Sequence, residues 1–312
     1  MSEAIVLTLS TLIVAATGGF ASKVTEIVAG RGSEWLSSIY RNHSENVRKK
    51  AQKNAEQFLD QLYNSVTELE QEFITTKLQK DEVEHKFDDP GFALTLKNAI
   101  EASAITDDPD KHKILSRAIG ERLLASEDSM IALTTPLAIS KIESLNKNHL
   151  NFLGLCTALF TIRPEVPETL KCEEFVEWYS DKVISMFRNF LSVKMEMNDY
   201  SHLSSLSCIE LFEKSFPPDQ ILRPNHKCQV SNPWSLISMQ KDPEGKILHD
   251  KLYELWGAYG RGAGIANMQL TTIGQLIGLY VYDLKSGTSF RDQKLHLSLL
   301  GVNPLPHKEI NY

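Results

Sequence analysis

Cysteine is scarce in this 312-residue chain, with four residues at Cys156, Cys172, Cys208 and Cys228. None stands in a C-x-x-C spacing, so the usual signals of a zinc ribbon or a redox pair are missing. The four read as free, partly buried thiols in a reducing compartment. The nine histidines are scattered; His112, His149, His202, His226 and His249 among them form no H-E-x-x-H pair, and two loop residues, His226 and Cys228, do not make a metal site alone. There is no Gly-x-Ser-x-Gly elbow and no Walker loop. Internal repeats and low-complexity tracts are absent too. Positive charge is in deficit, with 33 Lys and Arg against 40 Asp and Glu and a net charge of −7. That balance argues against a general duplex-DNA surface while leaving room for a local basic pocket. With no catalytic signature, the chain reads as a non-enzymatic protein without cofactor or metal.

Long apolar runs are absent as well, with one exception. Ala4 to Ser22, AIVLTLSTLIVAATGGFAS, holds no charged residue between Glu3 and Lys23. About 18 uncharged, mostly apolar residues is the threshold for a membrane-spanning helix. This run sits at that threshold and is diluted by Thr8, Ser10, Thr11, Thr17, Gly18 and Gly19. Two readings follow: a lipid-inserting segment, or a helix buried in an oligomer core. In both, Ile5, Leu9, Leu12, Ile13 and Phe20 are the working residues. Glu3 stands where a secretory signal carries positive charge. Lys23, Arg31 and Arg41 follow the run, which by the positive-inside tendency leaves the body in the cytoplasm.

The rest predicts a mainly α-helical body. Three regions are expected: an apolar segment over 1–32, a long amphipathic helical region over 33–87, and a helical globular domain over 88–312. Trp35, Leu36, Ile39 and Tyr40 form an apolar stripe that Val47 and Ala51 extend. Phe58, Leu59, Leu62, Tyr63, Val66, Leu69 and Phe73 recur at three and four. The cations Arg48, Lys49, Lys50 and Lys53 make a solvated helix face, or one that meets anionic headgroups. Asp88-Asp89-Pro90-Gly91 and Thr106-Asp107-Asp108-Pro109 are breakers. Helices are expected over Phe92–Ala104, Asp110–Ser126 and Ser129–Leu145, the last interrupted at Pro136. Asn148–Ile162 should be a central buried helix, and Cys172–Met197 an amphipathic one. A short helix is expected around Cys208 to Phe212. Near the end, Leu252, Leu255, Trp256 and Tyr259 share a helical face, and Thr271 or Thr272 caps a helix through Ile273, Leu276, Ile277 and Tyr280.

Gly260-Arg261-Gly262-Ala263-Gly264 is the one candidate ligand loop. Its backbone amides and Arg261 suit a phosphate, although it lacks the Lys-Ser/Thr that follows a P-loop. The same residues also serve as a flexible turn.

Two passages carry a family resemblance. One is Asp107 to Ser126, DDPDKHKILSRAIGERLLAS, with Pro136 to Leu155, PLAISKIESLNKNHLNFLGL. The other is Met268 to Gly287, MQLTTIGQLIGLYVYDLKSG, with its Leu-Thr-x-x-Gly core. Together they resemble the bacterial abortive-infection alpha (Abi-alpha) proteins. The resemblance implies a role in phage defence and transfers no catalytic residue. The Leu270-Thr271-x-x-Gly274 element also looks like the end of many winged-helix domains, although Lys and Arg are sparse around it.

The expectation is therefore a homo-oligomeric effector whose released apolar segment disrupts the bacterial inner membrane, resting there or in the cytoplasm. The alternative is a soluble oligomeric sensor or scaffold that binds a nucleotide, an oligonucleotide or a partner protein near Arg261.

Overall fold

The computed structural model describes residues 20–72, 85–162, 172–213, 243–257 and 264–287. The fold is mainly α-helical, and the chain divides into two compact units, Met1–Ser144 and Leu145–Tyr312.

The first unit holds α1 (Phe20–Ile39), α2 (Glu45–Glu72), α3 (Pro90–Ile105), α4 (Pro109–Leu124) and α5 (Met130–Ile142). Each breaker in the sequence becomes a helix start. Asp89 accepts the amides of Gly91 and Phe92 at 3.1 and 2.8 Å, with Pro90 at the first helical position of α3. Asp108 caps α4 the same way ahead of Pro109. Ser129 caps α5 through the Ala132 amide. Such caps satisfy amides that the first helical turn leaves without partners.

Cross-links fix the directions of the helices. Asn54 donates to the Ala104 carbonyl at 3.1 Å, and Lys50 lies 3.5 Å from Asp107. The start of α2 therefore meets the end of α3, and the two run antiparallel. Further on, Ser65 meets Ser116 at 3.1 Å and Arg117 reaches Glu68 at 3.9 Å, so α2 and α4 run parallel. Lys111 donates to the Glu143 carbonyl at 2.9 Å, joining the start of α4 to the end of α5. The core is the α2 stripe foreseen from its period, with Phe58, Leu59, Leu62, Val66 and Leu69 buried, against Leu96, Ile100, Leu115 and Ile119.

Two details differ from the sequence reading. The apolar stripe does not run on through Ile39 and Val47. Leu36 and Ala51 are buried, but Ile39 and Val47 are 40% and 43% exposed, because the chain turns between α1 and α2 and carries both outward. Pro136 does not interrupt its helix; it sits in the interior of α5. It forgoes one backbone hydrogen bond, while buried Ile131, Ala138, Ile139 and Ile142 hold the helix on either side. Ala21 and Ser22, at the end of the apolar run, lie buried in α1.

The second unit holds α6 (Lys147–Phe160), α7 (Cys172–Phe187), a 3-10 turn over Arg188–Phe190, α8 (Met197–Ser205), β1 (Ile209–Leu211), α9 (Pro243–Leu255), a 3-10 turn over Ile265–Asn267, β2 (Met268–Leu270) and α10 (Thr272–Ser286). As expected, α6 is central: every residue from His149 to Leu159 is buried. It packs along α10, where Gly154 and Gly278 let the helices approach closely.

The expected helix at Cys208–Phe212 is instead strand β1. Ser207, at φ 58°, turns the chain out of α8. Ile209-Glu210-Leu211 then pairs antiparallel with Met268-Gln269-Leu270, in the register Ile209 to Leu270. Both triplets alternate apolar, polar, apolar, the period of a strand.

Candidate functional site

Four of the five residues expected to insert or to form an oligomer core, Ile5, Leu9, Leu12 and Ile13, lie outside the described residues. Phe20 opens α1. Of the candidate ligand loop, Gly260, Arg261 and Gly262 lie outside the described residues as well.

Gly264 is described, and packing accounts for it. A side chain there would meet the backbone of Gly257 at 2.6 Å and the Trp256 carbonyl at 2.8 Å. Its amide donates to Asn267 Oδ1 at 2.8 Å, and Ala266 donates to the Trp256 carbonyl. Gly264 thus closes a turn that seats Trp256.

The Leu-Thr-x-x-Gly element resolves in the same physical terms. Leu270 ends β2, and Thr271 caps α10 by accepting the Gly274 amide at 3.1 Å. The Thr271 hydroxyl also donates to the Ser207 carbonyl at 2.6 Å. Gly274 lies against the Cys208 carbonyl so closely that a side chain would collide with it. The motif is the joint that locks β1, β2 and α10 together. Beside this joint lies an open cleft of about 400 Å³, lined by Ser204, Ser207, Glu210, Leu211, Phe212 and Thr271.

The strongest polar centre was hidden by its 50-residue sequence gap. His149 Nδ1 accepts the Asn146 amide at 3.2 Å, so Nε2 carries the proton and donates to Asp199 Oδ1 at 2.9 Å. The other carboxylate oxygen accepts the Glu196 amide at 2.7 Å, and the His202 ring lies 5.0 Å from that of His149. Burial pushes the Asp199 carboxyl up. The Glu196 amide and the hydrogen bond from His149 outweigh it and hold the group below the usual carboxylate range. Asn146 and His149 form a capping box at the start of α6, while at the start of α8 the Asp199 carboxylate accepts the Glu196 amide. The sequence signal was these two cap patterns, each pairing residues three apart. The dyad's hydrogen bonds serve to tie two helix starts together. Nearby Cys156 is fully buried, and burial pushes its thiol well above the ordinary range. Among the described residues, no group of His, Cys, Asp or Glu is arranged to hold a metal ion.

The first unit has a comparable node ahead of α3. Arg122, buried, meets Asp89 at 3.2 Å, and Lys86 donates to the Ala125 carbonyl at 3.2 Å. Arg31 donates to the Phe87 carbonyl at 2.6 Å and lies over the Phe87 ring at 5.7 Å. Among the described residues, no helix is long and apolar enough to cross a membrane.

A family model whose description reads ":-like" matches residues 19–247. Its span opens one residue before α1 and closes inside α9, so the Ala4–Gly18 run and the Leu-Thr-x-x-Gly motif both fall outside it. No curated protein and no solved structure matches the chain. The description names no activity, and the tie to the abortive-infection alpha proteins rests on the resemblance alone. Because the match takes in well over half of the 312 residues, the chain belongs to the family described as ":-like".

Proposed function

We propose that this protein is a membrane-directed effector of a bacterial anti-phage system, in which a helical bundle carries an apolar leading segment to the inner membrane. The observation that supports this reading is a boundary. Residue 19 opens the family match, and Phe20 opens α1. Ahead of both stands Ala4–Gly18, 15 residues without a charge. In α1, Ala21, Val24 and Val28 are buried, so the run ahead of them begins from an anchored helix.

The same boundary narrows the mode of action. With Ala21 and Ser22 committed to α1, the remaining run falls short of the roughly 20 residues that span a bilayer. A segment of this length and mixed polarity suits the headgroup boundary better than a full crossing. In a resting homo-oligomer, Ile5, Leu9, Leu12 and Ile13 would be covered by neighbouring copies, and a trigger would release them. The phage-defence setting comes from the Abi-alpha resemblance.

The test compares the intact chain with one lacking Met1–Gly19, both at low expression in bacteria. The intact chain should pellet with membranes and resist salt, and the truncated chain should not. Equal partition of the two would overturn the reading. So would vesicle leakage unchanged by Leu9→Asp with Ile13→Asp. If the truncated chain instead stays soluble and loses its oligomeric state, the run is an assembly core and the protein a soluble scaffold.

A further inference from the structure

The first unit presents a second surface of unusual character at the end of the bundle away from the start of α1. There α1 ends and α2 begins, and the turn between them is exposed from Arg41 to Val47. Tyr40 to Lys53 holds Arg41, Arg48, Lys49, Lys50 and Lys53 against one carboxylate, Glu45, in a chain of net charge −7. Lys49 pairs with Glu45 at 2.6 Å and Lys50 with Asp107 at 3.5 Å, yet both side chains stay largely exposed. Among the described residues no ion pair takes Arg41, Arg48 or Lys53, and Arg48 Nε is buried without a hydrogen-bond partner. Asp107, Asp108 and Asp110 lie at the same end on the α4 side, where Lys50 takes Asp107 and Lys111 lies beside Asp108.

Apolar groups stand out among these cations. Ile39, Val47 and, at the end of α3, Ile105 are 40%, 43% and 57% exposed. Tyr40 is half-buried and packs edge-on against His43, with ring centroids 5.3 Å apart. Burial, with Glu101 and Glu143 nearby, pushes the Tyr40 phenol up, so its ring stays neutral. Exposed aliphatic side chains, an amphipathic ring and surrounding Lys and Arg are what a headgroup boundary accepts: the cations meet anionic lipid and the aliphatics enter the acyl margin. Nucleic acid offers phosphates but no place for two branched aliphatics.

We propose that the turn between α1 and α2 is an anionic-lipid contact, with Arg41, Arg48, Lys49 and Lys53 on the headgroups and Ile39 and Val47 entering the boundary. The contact deepens the membrane reading above but stands on different residues, so either can fail alone. α1 has 20 residues, which at 1.5 Å per residue puts this tip about 30 Å from the start of α1.

The experiment uses the full chain and sedimentation with vesicles of equal parts phosphatidylglycerol and phosphatidylcholine, or of phosphatidylcholine alone. Each cation at an anionic surface is worth about fivefold in affinity, so Arg41→Gln with Lys53→Gln should bind anionic vesicles about thirtyfold more weakly. Binding to neutral vesicles should not change. Leu9→Asn with Ile13→Asn should show the reverse pattern, losing neutral-vesicle binding and keeping the preference for anionic lipid. If that variant alone fails to pellet, the membrane reading of the leading segment survives and the tip proposal falls. A second measurement needs no variant: added salt should erase the anionic preference of the parent chain, since such attraction fades within a Debye length. The proposal is overturned if the glutamine pair leaves the anionic preference intact. It is also overturned if the pair abolishes binding of a single-stranded oligonucleotide while vesicle binding stays unchanged.

Discussion

Replacing Gly278 with alanine tests the tightest helix crossing in the second unit. In α10, as in any helix interior, alanine is favoured over glycine by about 0.8–1 kcal/mol. Position 278 reverses that preference. The new methyl would fall 2.5 Å from the Leu153 carbonyl oxygen and 3.0 Å from its carbon, and would run into the Thr157 hydroxyl. The Leu153 carbonyl belongs to the backbone of α6, so the obstacle cannot swing aside, and α6 and α10 must separate. Overpacking of a core costs about 1–3 kcal/mol, and a backbone obstacle belongs at the top of that range. The net loss is then about 1–2 kcal/mol. A kcal/mol moves Tm by about 2–4 °C in a unit of this size, so the melting point should fall by about 2–8 °C. Gly30 is the internal control. It lies in the middle of α1 with nothing within 4 Å of an added methyl, so Gly30→Ala should raise stability by up to about 1 kcal/mol. Adding Thr157→Ala to Gly278→Ala should return part of the loss, because it clears one obstacle and leaves the Leu153 carbonyl. Thermal melts followed by circular dichroism and tryptophan fluorescence would read all four proteins. The reasoning fails if Gly278→Ala melts at or above the parent, or if Gly30→Ala is as damaging.

Two further outcomes concern polar groups. Thr271→Ala should cost about 1–2 kcal/mol by removing the α10 cap along with the bond to the Ser207 carbonyl; Thr271→Ser keeps both and should stay near the parent in urea unfolding. Acid should destabilise the fold through Asp199 and Asp89. Burial pushes the Asp89 carboxyl up, but the Phe92 and Gly91 amides and the charges of Arg122 and Lys86 bring it below its ordinary 3.8. Asp199 is lowered likewise. In acid the unfolded chain therefore binds more protons than the folded one. The stability these groups contribute is present above 3.8 and is lost as pH falls through their lower folded values. Asp199→Asn should flatten that acid limb, and an unchanged pH profile would remove Asp199 from the account.

Much of the helical order was legible because it is punctuated locally. Asp89-Pro90, Asp108-Pro109 and Thr271 mark helix starts by chemistry that acts over three residues, and the structure places caps at each. The α2 core was legible from its period. The exposure of Ile39 and Val47 was not, since apolar spacing alone carries no sign that the chain turns between them. Strand β1 was missed because its partner, β2, lies some 60 residues away, and three residues of alternation do not separate a strand from a helical turn. The His149–Asp199 bond was missed for the same reason: each residue looks like half of a local cap until two helix starts are brought together. Proline misled at 136, where the buried residues before and after it in the helix, Ile131 and Ile139 among them, outweigh one lost backbone bond.

The polarity of α1 constrains how this protein can meet a membrane. Its first turn continues the apolar run, and its last leads into the basic turn, about 30 Å away along a single rigid helix. An apolar segment in the headgroup boundary holds its protein against salt, while a cationic tip releases it as salt rises. If both ends engage one bilayer, α1 lies along the surface, and salt loosens the tip without releasing the protein. If only the leading segment engages, nothing ties the tip to that bilayer, and the glutamine pair at Arg41 and Lys53 has no effect on pelleting. If only the tip engages, salt releases the protein completely and loss of Met1–Gly19 changes nothing. Salt extraction of the parent, the truncated chain and the glutamine pair therefore separates the three arrangements, because each of the two contacts answers to a different force.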